Sequence, residues 1–147
     1  MLLDGQCVTS GEIPDAIGWR GVWSILVECK ASLADFYADG RKQNRRWERW
    51  HDRHDGKTIP HIGQERWYLC PAGVIDPARH TMPKGWGLLW ATPTRIQRVV
   101  LPAASVLDPT TRLHRILDNG VRLREHDLLL SALHYYQNVR RARRPEA

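Results

Sequence analysis

The sequence predicts a mixed α/β domain, on three observations. Short runs of strand character recur along the chain, two stretches of helical spacing lie among and after them, and 147 residues suit one core. A chain of this length buries about 68–70% of the surface its unfolded form exposes, so it needs no disulfide or metal staple to fold. Residues 1–147 are therefore read as a single domain.

The elements follow in order. Ile13–Trp19 reads as a first strand, closed by a turn at Gly18-Trp19-Arg20-Gly21. Val22–Lys30 is the clearest strand in the protein. Its alternation puts Trp23, Ile25, Val27 and Cys29 on one face, and Ser24, Leu26, Glu28 and Lys30 on the other. Ser32 is a fitting N-cap for a helix over Leu33–Gln43, in a pattern that could run on through Arg53. The Gly and Pro content of 55–63 makes that segment a loop. Arg66–Cys70 and Gly85–Ala91 are short strands separated by the turn-rich PAGVIDPARHTMPKG, and Ile96–Leu101 is a fifth. Pro102 and Pro109 bracket a connection to a last helix over about Val121–Arg141, with Leu123, Leu130, Leu133 and Tyr136 at helical spacing. There is no internal repeat and no low-complexity stretch.

Composition narrows the function classes. Three cysteines, Cys7, Cys29 and Cys70, are an odd number without CxxC spacing. That argues against a disulfide framework or a zinc cage and suits a reducing cytoplasm. Cys29 and Cys70 lie in apolar runs and are read as buried small hydrophobes. No apolar run reaches the ~18 residues of a membrane span, and MLLDGQCVTSGE lacks the cationic start of a signal peptide. No membrane partner is expected. Twenty-two Lys and Arg against sixteen Asp and Glu give a net charge of +6, which makes a polyanion the first partner to consider. Arg41, Lys42, Arg45, Arg46, Arg49 and Arg53 cluster around Trp47 and Trp50, and the first five are the candidate DNA-binding residues. The two tryptophans could stack on bases, although core packing is the favoured reading. The terminal RRARR is read as a solvated helix end that suits the helix dipole. His51 and His54 could share a helix face as metal ligands with His61 beyond, but the loop-like segment favours solvated histidines.

The chemistry-bearing group is Glu28-Cys29-Lys30 together with Asp15. Glu and Lys are common, so a Glu-x-Lys triplet alone carries no information. Its setting does: the triplet ends a strand, and alternation puts Glu28 and Lys30 side by side. A turn centred between about residues 20 and 21.5 sets Asp15 opposite a residue from 25 to 28. Two carboxylates that close repel, and a divalent cation resolves the conflict because Mg2+ binds through one or two carboxylates plus substrate phosphate. The alternative is an edge salt bridge between Glu28 and Lys30, with Asp15 a turn residue.

Pro14-Asp15, twelve intervening residues and Glu28-x-Lys30 resemble the motif of the PD-(D/E)XK, or restriction-endonuclease-like, nuclease superfamily. ECKASLADFYADGRK is similar to a branch of small bacterial DNA-repair and phage-encoded members, through Lys30, Ser32, Asp35, Phe36, Asp39 and Lys42. RWYLCPAGVI and MPKGWGLLW resemble later segments of that branch, so the likeness runs from about Glu12 to Trp90. The resemblance implies a mixed sheet flanked by helices. It also implies a metal-dependent DNA nuclease in repair, recombination or phage DNA processing. Asp15, Glu28 and the main-chain carbonyl of Cys29 would hold Mg2+ or Mn2+, and Lys30 would orient water and stabilise phosphate charge. Ser32 and Asp35 are cap and supporting groups. Family cores open with a helix before the Asp strand, for which the first fourteen residues are poorly suited; Glu125 on the last helix, or Glu12, could supply the extra acid. The alternative function is a nuclease-fold protein that binds nucleic acid or protein without cleaving. A monomer and a homodimer are both compatible with the sequence.

Overall fold

The computed structural model of the chain describes residues 14–42, 62–103 and 119–142, with the backbone alone at 119–120 and 134–142. The described residues form one five-stranded mixed sheet and two helices. In chain order these are β1 (Ala16–Arg20), β2 (Trp23–Cys29), α1 (Leu33–Asp39), β3 (Glu65–Pro71), β4 (Trp86–Ala91), β5 (Ile96–Val100) and α2 (Asn119–Ala142). Each expected strand is present within a few residues of its expected bounds. The sheet order is β1-β2-β3-β4-β5. β1 and β5 run antiparallel to their neighbours, while β2, β3 and β4 are mutually parallel.

The first turn sits later than expected. Arg20 pairs with Trp23, so Trp19 and Arg20 belong to β1 and the loop is Gly21-Val22. Gly21 has φ +61°, and no non-glycine residue among those described has positive φ. Glycine at the first position of a two-residue hairpin loop is the signature of a turn whose twist matches the strands. Helix α1 ends at Asp39 rather than Gln43. Gly40, a poor helix residue, follows, and Arg41 and Lys42 close tight turns onto Ala38 and Asp39. Any continuation to Arg53 lies outside the described residues.

The main core cluster lies on the face that carries Ser24, Leu26 and Glu28; on the other face Trp23 and Trp67 are buried, Ile25 and Val27 half-buried and Cys29 exposed. Ile17 on β1, Leu26 on β2, Tyr68 and Cys70 on β3, and Trp86 and Leu88 on β4 line the core face. Phe36 of α1 and Leu128 and Ala132 of α2 join the same cluster. The helices settle which face carries the main core: covering a leucine side chain stabilises by about 1.5–3 kcal/mol, and Leu26, Leu88 and Leu128 are fully covered. Cys70 is buried as expected, but Cys29 is exposed, because it ends β2 on the opposite face. On that face Trp67 lies across Gly87, where a Cβ would come within 2.5 Å of the indole. No helix among the described residues is long and apolar enough to cross a membrane.

Candidate functional site

Asp15 immediately precedes β1, and Ala16 pairs with Val27. Continuing that register by one residue sets Asp15 opposite Glu28, within the expected window. Asp15 Oδ2 accepts a hydrogen bond from the Cys29 backbone N–H at 2.7 Å, which fixes the strand end against the carboxylate. Asp15 is exposed, whereas Glu28 is 2% exposed and Lys30 3%. The site therefore has a solvent-facing acid and a covered acid–base pair at the carboxyl end of β2.

Lys30 leaves β2 after Cys29, and its backbone N–H donates to Leu69 at 2.8 Å, which holds it in line with β3. Its Nζ lies 3.3 Å from Glu28 Oε2 and 3.3 Å from Asp39 Oδ1. Asp39 comes from the last turn of α1. Its Oδ2 accepts from the Tyr68 hydroxyl at 2.8 Å, and its Oδ1 also meets Lys42 Nζ at 2.8 Å. The Tyr68 ring lies under the Lys30 ammonium, 5.7 Å from it, and is stacked on Trp86 with edge contact to Phe36. Two covered carboxylates (Glu28, Asp39) thus share the Lys30 ammonium, and Lys42 meets Asp39 from the solvent side.

The edge-salt-bridge alternative is half right: Glu28 does pair with Lys30, but the pair is buried and extends to Asp39. The sequence singles out Asp39 only through the resemblance, without a role, and does not single out Tyr68. A signal existed for Asp39, since it is three residues after Phe36, and a carboxylate on the apolar face of a helix requires a partner. Ser32 caps α1, its hydroxyl accepting from the Asp35 N–H at 3.2 Å, and Asp35 accepts from the Ala31 N–H, so both are capping groups as expected.

Glu125 lies at the other end of β2. Its carboxylate accepts from the Ser24 hydroxyl, from the Trp19 indole at 3.2 Å and from the Gly63 N–H at 3.2 Å. Four residues of strand, about 13 Å at 3.3 Å per residue, separate Ser24 from Glu28. Glu125 therefore anchors α2 and does not supply an extra acid beside Asp15. Glu12 lies outside the described residues.

A divalent cation is compatible with the donor set. Asp15, Glu28 and a main-chain carbonyl are oxygen donors of the kind Mg2+ takes. Among the described residues no three His, Cys, Asp or Glu side chains converge into a cage. Mg2+ requires none, because it keeps waters and takes substrate phosphate beside one or two carboxylates. Burial pushes the Cys29 thiol above its ordinary pKa, the Asp15 and Glu28 carboxylates add to the rise, and Lys30 opposes it.

Of the candidate DNA-binding residues, Arg41 is exposed, and Lys42 is half exposed with its ammonium on Asp39. Arg45, Arg46, Arg49 and Arg53 lie outside the described residues, as do Trp47, Trp50, His51, His54 and His61.

No protein-family model matches the chain, and no curated protein matches it. Among solved structures, a protein of unknown function from Silicibacter pomeroyi is similar at a TM-score of 0.48 and 22% identity, over 93% of this chain and 75% of that one.

Proposed function

We propose that this chain is a restriction-endonuclease-like, metal-dependent DNA nuclease that hydrolyses phosphodiester bonds in repair, recombination or phage DNA processing. The observation that carries the reading is the juxtaposition of Asp15 with Glu28 across the hairpin, with Lys30 held beside Glu28. Asp15, Glu28 and the Cys29 carbonyl would hold Mg2+ or Mn2+. Such a cation, when bound, polarises phosphoryl oxygens and lowers the pKa of water. Lys30 supplies a fixed positive charge near the phosphoryl group, where negative charge grows in the transition state, and helps to orient the attacking water. Asp15, on the solvent side, faces incoming substrate. Arg41 and the basic residues after it attract the phosphate backbone.

The covered state of Lys30 favours a second reading, because its ammonium already has two carboxylates within 3.3 Å. In that reading the protein keeps the fold and binds nucleic acid or another protein without cleaving.

One experiment separates the two. Supercoiled, linear, nicked and single-stranded DNA are incubated with the protein in Mg2+, Mn2+ or EDTA, beside metal titration by calorimetry. The nuclease reading expects cleavage with metal and none in EDTA. Asp15→Ala, at an exposed position, should lose both metal affinity and cleavage while keeping DNA binding. Lys30→Ala, scored only on folded protein, should keep metal binding and lose roughly 10²–10³ in rate if its charge acts like one oxyanion donor. Cleavage that persists in EDTA or in Asp15→Ala would refute the metal site. Metal-independent DNA binding without cleavage would establish the second reading.

A further inference from the structure

We propose that Asp39, locked by the Tyr68 hydroxyl, is the positioning residue for Lys30; its catalytic consequence rests on the nuclease reading above. Lysine is a point charge on a flexible four-carbon stem, so a catalytic lysine needs its ammonium fixed by neighbours. Glu28 alone is a poor anchor, because the same carboxylate is a candidate metal ligand and would gain a second partner when a cation binds. Asp39 has no such second duty. Both of its oxygens are engaged: Oδ2 by Tyr68, Oδ1 by Lys30 and Lys42. Its side chain is fully covered, and α1, capped at Ser32, fixes its backbone.

Tyr68 in turn has little freedom. It is fully buried, stacked on Trp86 with ring centroids 4.3 Å apart and met edge-on by Phe36 at 5.2 Å. The chain of contact therefore runs from the rigid core of the sheet to the ammonium: Trp86, Tyr68, Asp39, Lys30. A charge held this way keeps its place while Glu28 gains a second partner, which is the condition for pre-organised stabilisation of phosphate charge. Lys42, half exposed on the same Asp39 oxygen, balances the carboxylate from the solvent side.

Tyr68→Phe tests this with the least disturbance, since the ring contacts stay and only the hydroxyl goes. Asp39→Asn keeps the shape and removes the charge. The first readout is the 15N resonance of the Lys30 ammonium, assigned by its disappearance in Lys30→Arg. Wild type should show a slowly exchanging signal, and both variants should shift it and speed its exchange with water. The second readout is plasmid nicking. Tyr68→Phe should lower kcat by roughly tenfold, the scale of one hydrogen bond to a charged group, with KM for DNA within about twofold. In a Lys30→Ala background the same change should cost nothing further, because the two residues act as a unit.

An unchanged ammonium signal in both variants would overturn the proposal. So would a Tyr68→Phe penalty of equal size with and without Lys30, since that is the behaviour of a residue that only stabilises the fold. If wild type nicks no DNA with either metal, the nuclease reading falls, and the ammonium resonance alone decides whether Asp39 positions Lys30.

Discussion

Lys30 is placed where an uncompensated charge is costly on either side. Glu28 and Asp39 are both covered, so removing the ammonium takes away a cation that two buried carboxylates share, although Asp39 keeps Lys42 and Tyr68, and breaking a buried pair costs about 3–5 kcal/mol. Lys30→Ala should therefore show an earlier urea midpoint, measured before its activity is interpreted. Asp15→Ala should leave the midpoint within about 1 kcal/mol, as expected for an exposed residue holding a single backbone N–H. Cys29 gives a second prediction. Its thiol is exposed, yet burial of its surroundings and the carboxylates of Asp15 and Glu28 raise its pKa. A raised pKa keeps the thiol protonated at neutral pH, and only the thiolate reacts, so alkylation of Cys29 should lag behind an unstructured cysteine peptide and accelerate only as pH rises further. Asp15→Asn should bring that acceleration to lower pH, read by mass spectrometry of the Cys29 peptide. A Cys29 rate matching that of the free peptide across the pH range would contradict the electrostatic account.

At the scale of elements, the five strands and both helices were legible because each signals itself locally. The alternation of Val22–Lys30 and the Ser32 cap each need only a few neighbouring residues to be read, whereas the leucines expected on the inner face of the last helix, Leu123, Leu130 and Leu133, are exposed, and Leu128 and Ala132 join the core instead. What was not legible depended on distant partners. Alternation in β2 shows that Leu26 and Cys29 lie on opposite faces but not which face carries the main core, and α2, about a hundred residues later, decides that. Glu125 was misplaced for the same reason: its position on a helix face was clear, but its partners Ser24, Trp19 and Gly63 come from three separate segments. Glu125→Ala takes this acceptor from the Trp19 indole and the Gly63 N–H, while the Ser24 hydroxyl still has Gln64 Oε1, at about 1–3 kcal/mol for each donor left buried and unsatisfied. The expected result is faster amide exchange in 121–133 and an earlier melting transition. Gly87→Ala should also destabilise, by roughly 1–3 kcal/mol for overpacking, because its Cβ would meet Trp67 and Pro102 at 2.5–2.8 Å.

For the molecule as a whole, the basic balance of charge predicts DNA affinity that falls steeply with salt. Each phosphate neutralised contributes about −0.9 to the slope of log K against log salt for duplex DNA. Charge reversal at Arg41, Arg45 and Arg46 should reduce that slope by about one unit per lost contact, measured by fluorescence anisotropy over a salt series. A flat dependence would leave the cluster as solvating charge. The candidate site was readable from the sequence as far as the hairpin carries it, since Asp15, Glu28 and Lys30 lie close along one local register. Tyr68, which completes the group, arrives by a parallel pairing that spacing does not reveal. The strand order has a further consequence, for the time course of folding. Because every strand neighbours its predecessor in the chain, the sheet can assemble from one end in the order in which a ribosome releases it, beginning with a hairpin that closes within about 1–10 μs. The apolar side of that growing sheet, met by Phe36 of α1, stays partly open until α2 emerges and Leu128 and Ala132 join the core. Nascent chains halted before α2 should therefore bind a hydrophobic dye and a chaperone, and lose both on release of the remaining residues.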